Sequence, residues 1–142
     1  FDWVDEDFIK RSLKMSKSRN ILIIADSCFS GTITRGIEIV EQSLDAAALE
    51  KFRKEITRVA ITSGGNEKVL DGGAGKHSVF TGAVLDYLRR KDTPFTAAEI
   101  FSSIRTPVLQ RSMALGGDQT PQYGPLLKAG HKGPDFVFEP KN

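Results

Sequence analysis

The chain has 142 residues, 39% of them hydrophobic and 27% charged, which fits one globular domain with a real core and excludes a disordered chain. Its 20 Lys and Arg against 18 Asp and Glu leave a net charge of +2, too little for a nucleic-acid footprint without a local patch. No apolar run approaches the roughly 20 residues of a membrane span, so neither nucleic acid nor membrane is expected as a partner. The one cysteine rules out an internal disulfide and points to a reducing, cytoplasmic setting. The N-terminus shows no signal-peptide pattern. It opens on FDWVDEDFIK without an initiator Met, so an excised or processed piece is expected.

In chain order, DEDFIKRSLKMSK (5–17) places Phe8, Ile9, Leu13 and Met15 at roughly helical spacing, with acids in the first turn. ILIIA (21–25) is an apolar run without alternation, the pattern of a strand buried on both faces. DSCFSGTITRG (26–36) reads as loop and EIVEQSLDAAALEKF (38–52) as helix. ITRVAITS (56–63) is a second buried strand, followed by a Gly-rich connection, GGNEKVLDGGAGKH (64–77). SVFTGAVLDYLRR (78–90) is a helix with Val79, Phe80, Ala83, Val84, Tyr87 and Leu88 on one face and Arg89 and Arg90 at its C-terminal end. The next helix begins near Thr93, a cap candidate, and Pro94, and Pro107 should kink or break it. Residues 115–135 read as a long loop and FVFEP (136–140) as a last strand. Strands alternating with helices give an α/β class with a mainly parallel sheet, all of residues 1–142 belonging to one domain.

In such sheets ligands gather beyond the carboxyl ends of the strands. Two polar stretches fall there: Asp26-Ser27-Cys28 after the first strand, and Thr62-Ser63-Gly64-Gly65-Asn66-Glu67 after the second. If the strands are neighbours, one cleft holds a thiol, two carboxylates and several hydroxyls. Cys28 is either a small apolar filler at a strand end or a nucleophile on a loop held by a rigid sheet. Its polar neighbours and Gly31, which permits a tight turn able to aim amides at an oxyanion, favour the second. A thiolate nucleophile needs a base, usually histidine. The two histidines are His77, read as a cap or packed residue at a helix start, and His131, read as solvated in a Gly/Pro loop. GGAGKHS lacks the spacing of a phosphate loop, and neither a zinc cluster nor a calcium loop is present.

Four blocks in order, ILIIADSCFSG, VAITSGGNEKVLDGG, HSVFTGAVLDYLR and DQTPQYGPL, resemble the caspase-like cysteine peptidases, the bacterial metacaspase-like (orthocaspase) branch above all. The likeness spans residues 8–127; the Q-A-C-[RQG]-G signature of caspases proper is not matched, Asp26 standing where that motif has Gln. The resemblance implies a three-layer fold, a mainly parallel sheet flanked by helices, with the first strands missing from this chain. It makes Cys28 the nucleophile of an endopeptidase. It places the general base in a His-Gly pair roughly 50 residues before the cysteine, upstream of the 27 residues that precede Cys28 here. An upstream His-bearing segment of the same domain is thus an expected partner. Asp26 and Glu67 would line the pocket for the residue before the cut, with Ser63 adding a hydroxyl, so the expected substrate is a peptide or protein cut after Arg or Lys. A carboxylate beside a thiol raises its pKa and cannot activate it, but suits recognition of a cation. No cofactor or metal is needed for the chemistry, although some family members require calcium. The polar, basic stretch 32–58, with Arg35, Lys51, Arg53 and Lys54, is the expected place of self-cleavage. Two other readings stay open: a caspase-like scaffold without catalysis, and a flavodoxin-like domain with an incidental or redox thiol.

Overall fold

A computed structural model describes residues 5–27, 44–64 and 77–140. Its elements run α1 (Glu6–Met15), β1 (Asn20–Ala25), α2 (Ala46–Lys54), β2 (Thr57–Thr62), α3 (Val79–Arg90), β3 (Phe95–Thr96), α4 (Ala97–Ala114), β4 (Gln122–Pro125) and β5 (Val137–Phe138). β2 is the centre of a three-stranded sheet of order β1-β2-β4, and β3 and β5 form a separate two-stranded ribbon.

The α/β class holds, but the mainly parallel sheet does not. β1–β2 is parallel, whereas β2–β4 and β3–β5 are antiparallel. The connections explain this. A helical crossover returns the chain to the amino end of the sheet, and the β1–β2 connection contains α2. Between β2 and β4 the chain passes through two long helices, α3 and α4. The second carries it back to the carboxyl end of β2, so β4 must run the other way.

All six residues of β2 are buried, and their side chains alternate between two cores. Val59 and Ile61 face the main cluster with Phe80, Val84, Phe95, Ile100, Ile104 and Val108 from α3, β3 and α4. Ala60 faces the other side, with Leu126 and Ala129 and, packed against them, Leu13 of α1 and Ile23 of β1. Helices therefore cover both faces of β2. The six α3 positions expected on one face all join the main cluster or pack against it.

Local signals account for the helix ends. Asp5 caps α1 and Asp45 caps α2, each carboxylate accepting a first-turn N–H. α2 starts only at Ala46; the earlier part of the expected helix, 38–43, lies outside the described residues. α4 starts at Thr96, not Thr93, through a capping box in which Thr96 and Glu99 satisfy each other's backbone N–H. It runs unbroken through Pro107 because Ile104 and Val108 are anchored in the core on both sides of it. Two strands have no sequence pattern of their own: β3, at the start of the stretch expected as a helix, and β4, inside the expected loop. β4 is QYGP, with Gly and Pro in a four-residue strand that forms an outer edge of the sheet. Of the apolar α1 positions, Leu13 packs on the sheet while Phe8 and Met15 are exposed. The stretch expected as a cleavable loop is in part ordered structure: Lys51, Arg53 and Lys54 lie on α2, and Arg58 is buried in β2.

Candidate active site at the carboxyl ends of the parallel strands

The β1–β2 register aligns Ala25 with Thr62. One further ladder bond, Ser63 N–H to the Ala25 carbonyl at 3.0 Å, carries the pairing past the strand ends. Asp26 and Ser63 thus leave the sheet side by side, as expected for two loops sharing one cleft. Cys28 and Glu67 lie outside the described residues. Of the four sequence-derived site residues, the structure brings together Asp26 and Ser63.

Asp26 is half-buried and its Oδ2 is engaged. Ser78 Oγ donates a short hydrogen bond to it, and Thr81 Oγ1 donates at 2.8 Å. Ser78 is the N-cap of α3, its Oγ also accepting from Thr81 N–H at 3.0 Å. Asp26 therefore sits at the positive end of the α3 dipole, where a carboxylate is stabilised. Its other oxygen, Oδ1, is buried and has no hydrogen-bond partner among the described residues. A carboxylate has about four acceptor sites, so Asp26 retains capacity for a donor.

Ser63 is buried, and next to it Thr62 Oγ1 is buried without a partner among the described residues. Gly64 follows at φ +67°, and a Cβ there would lie 1.8 Å from the Thr120 carbonyl oxygen. Only glycine permits this contact, which seals the end of β2 against the 118–121 segment. Gln119, just before Thr120, is 2% exposed; its N–H donates to Ser112 Oγ at 3.0 Å, and its Oε1 is buried and unpartnered. Three buried polar atoms without partners among the described residues thus belong to residues at or beside this edge of the sheet: Asp26 Oδ1, Thr62 Oγ1 and Gln119 Oε1. Such orphans are rare in folded proteins and mark places where a ligand or another segment completes the bonding.

Ser78, Thr81 and Gln119 were not singled out from the sequence. Ser78 carries a readable signal, a cap-forming hydroxyl before an apolar helix; Thr81 and Gln119 carry none, because their roles depend on contacts across the fold. His77 is exposed and directly precedes the cap, so it is neither the cap nor a packed residue. His131 is half-buried, not solvated: its Nδ1 accepts the Arg58 backbone N–H at 3.1 Å, near the amino end of β2. Burial, then the nearby Arg58 charge, pushes its pKa down. It therefore lies at the opposite end of the strand from Asp26.

Asp135 is a buried acid with a structural task. Its Oδ2 accepts Ala98 N–H at 2.9 Å in the first turn of α4, and its Oδ1 accepts Phe136 N–H at 2.6 Å. Burial raises its pKa against the opposing pull of those bonds, and burial also raises that of Tyr123. No group of three or more His, Cys, Asp or Glu able to hold a metal occurs among the described residues, and no described helix is long and apolar enough to cross a membrane. No family model, curated protein or solved structure matches the chain.

Proposed function

We propose that this chain is the nucleophile-bearing part of a caspase-like cysteine endopeptidase domain that cleaves after Arg or Lys. The observation that carries the reading is the parallel β1–β2 register, which sets Asp26, two residues before Cys28 in sequence, beside Ser63, four residues before Glu67. In this reading Cys28, two residues after Asp26, supplies the nucleophile, and Glu67, four residues after Ser63, joins Asp26 in the cation pocket. Asp26 Oδ1 supports the specificity: it is a buried acceptor with no partner among the described residues, one that a substrate guanidinium would satisfy.

In this reading a histidine on an upstream segment takes the Cys28 proton. The thiolate attacks the scissile carbonyl, and backbone amides stabilise the oxyanion. Collapse of the tetrahedral intermediate breaks the C–N bond, the histidine returning its proton to the departing amine. Water, deprotonated by the same base, then cleaves the thioester. The half-buried state of β1 fits the need for that upstream segment. ILIIA reads as a fully buried strand, yet Ile24 is 40% exposed and β1 is an outer strand of its sheet.

The test uses the complete domain and fluorogenic peptides ending in Arg, Lys, Asp or Ala. Cys28→Ala should abolish turnover without loss of folding. Asp26→Asn should lower kcat/KM on Arg peptides by roughly ten- to hundredfold, the loss of charge-assisted bonds, with much less effect on Ala peptides. Efficient cleavage after Asp, or turnover by folded Cys28→Ala, would overturn the assignment. A caspase-like scaffold without catalysis is the competing reading. His131, at the far end of β2, cannot serve as base, so without an upstream histidine or His77 the chain would be such a scaffold. Covalent capture of Cys28 by an Arg-bearing peptidyl warhead, with no capture by a simple alkylating agent at equal concentration, separates the two.

A further inference from the structure

A groove of about 500 Å³ runs between α3 and α4, its lining formed by residues 79–91 of one segment and 103–111 of the other. It lies between the two helices, and its Val79 end adjoins the start of α3 that holds Asp26. Its floor is apolar, with Val79, Ala83, Ile104 and Val108, and Pro107 on one wall. Cations stand at both ends. α3 and α4 are joined by a short connection and run antiparallel, as Tyr87 shows by touching the Phe95 ring and bonding Glu99 at 3.4 Å. Arg90 and Lys91 are therefore at one end and Arg111 at the other.

The charge is unbalanced. Asp86 is the one acid in the lining, and it pairs with Arg89, outside the groove, at 3.7 Å. Lys91 is partly neutralised by Glu99 at 3.5 Å. Arg90 uses its Nε on the Asp86 carbonyl at 2.9 Å, which leaves its terminal nitrogens available. Among the described residues no carboxylate pairs with Arg90 or Arg111. The wall also holds a backbone acceptor. Pro107 has no N–H, so the Ser103 carbonyl one turn earlier lacks its helical donor, and both residues line the groove.

We propose that this groove binds a short extended peptide in which an apolar residue lies between two acidic ones, spaced acid-x-apolar-x-acid. Ser103 is level with Tyr87; Arg111 lies eight residues further along α4, about 12 Å, and Arg90 three residues beyond Tyr87 the other way, about 4.5 Å, so the two Arg backbones are about 16–17 Å apart, a span that the Arg90 side chain shortens by folding back onto the Asp86 carbonyl. Four residues of extended chain cover about 13 Å, and alternate side chains point the same way. Both acids and the apolar side chain of such a peptide then face the groove together, the acids on Arg90 and Arg111 and the apolar group on the Ala83–Pro107 floor. A peptide N–H can use the Ser103 carbonyl.

The probe is a fluorescein-labelled EALAE amide, which contains no Arg or Lys, so its binding is independent of the peptidase reading. Fluorescence polarisation should show saturable binding to the protein. The EASAE analogue and the Arg111→Glu protein should each bind at least about tenfold more weakly, the size of one lost apolar or charge-assisted contact, and QALAQ, which loses both charge-assisted contacts, about a hundredfold. In the unaltered protein, hydrogen exchange should slow on adding the probe within residues 79–91 and 103–111. That measurement stands even if Arg111→Glu fails to fold. Equal binding of QALAQ, no binding of EALAE, or protection confined to other segments would overturn the proposal.

Discussion

Arg58 offers the sharpest test of the fold. Its side chain is 2% exposed in the centre of the sheet, yet no carboxylate pairs with it among the described residues. Five carbonyls surround the guanidinium instead: Leu13 on Nε at 3.0 Å, Arg19 and Thr57 at 2.6 and 2.8 Å, and Ser16 and Ser18 at 3.4 and 2.6 Å. All five N–H donors are thereby used. Four of the acceptors belong to the last turn of α1 and the link into β1, so one side chain of β2 fastens the preceding helix to the sheet. The negative end of the α1 dipole points into this cluster and replaces the missing acid. Burial pushes the Arg58 pKa down, but the group stays charged at neutral pH. Arg58→Met removes every bond. At about 1.5 kcal/mol each the five would total roughly 7 kcal/mol, but carbonyls of the exposed Ser18 and Arg19 regain water, so a loss of about 3–5 kcal/mol is expected. Arg58→Lys keeps the charge but has three donors for five acceptors, and should cost about 2 kcal/mol. Urea unfolding followed by circular dichroism measures both. An Arg58→Met protein within about 1 kcal/mol of the parent would refute the clamp, since a buried group with five charge-assisted bonds cannot be silent.

The other predictions concern separate parts of the fold. The folded pKa of His131 is depressed, so the folded state binds fewer protons than the unfolded one; stability should be full above about pH 6.5 and fall as pH drops through the folded pKa. His131→Gln should flatten that slope in melts between pH 7.5 and 5, while Asp135, whose pKa is raised, acts with the opposite sign at lower pH. Gly64→Ala should cost more than about 2 kcal/mol from positive φ and the Thr120 clash together, read by urea titration; a neutral result would mean the 118–121 segment does not touch β2. Thr96→Ala should cost about 1 kcal/mol through the lost capping box, and a Glu99→Ala double variant should show that the two losses are not additive.

Much of the scaffold is legible in the sequence because its signals are local. The α3 stripe from Val79 to Leu88 follows the helical period and packs as read, and ITRVAITS names the central strand within a residue or two at each end. The readings that fail depend on distant partners. β4 is a strand only because β2 offers it an edge; nothing in QYGP demands one. Pro107 does not break α4 because core contacts on both sides outweigh one missing hydrogen bond. His131 looks solvated among glycines and prolines, but the turn at 127–130 folds it onto the Arg58 backbone. Arg58 itself reads as one more surface cation in a basic run, because no sequence pattern announces that five carbonyls will converge on it.

The site is legible in part, and the part that fits is its placement. Sequence reasoning put Asp26 and Ser63 on adjacent strand ends, and the register agrees. Asp26 is read there as a cation receptor. The structure gives the carboxylate a structural task as well: Oδ2 is spent on the Ser78 and Thr81 hydroxyls, while Oδ1 has no partner among the described residues. Anchoring one oxygen on the α3 cap fixes the carboxylate plane, and in the proposed reading the other oxygen, without a partner among the described residues, is the one that meets the substrate cation. That division separates the two roles experimentally. Ser78→Ala removes the anchor and should cost about 1 kcal/mol of stability, with the preference for Arg over Ala peptides largely kept. Asp26→Asn keeps an acceptor for Ser78 and Thr81 but loses the charge, so the preference should fall while the melting temperature changes little. If Ser78→Ala and Asp26→Asn alter stability and selectivity in the same proportion, Asp26 is a cap and nothing more, and the cation pocket must lie elsewhere.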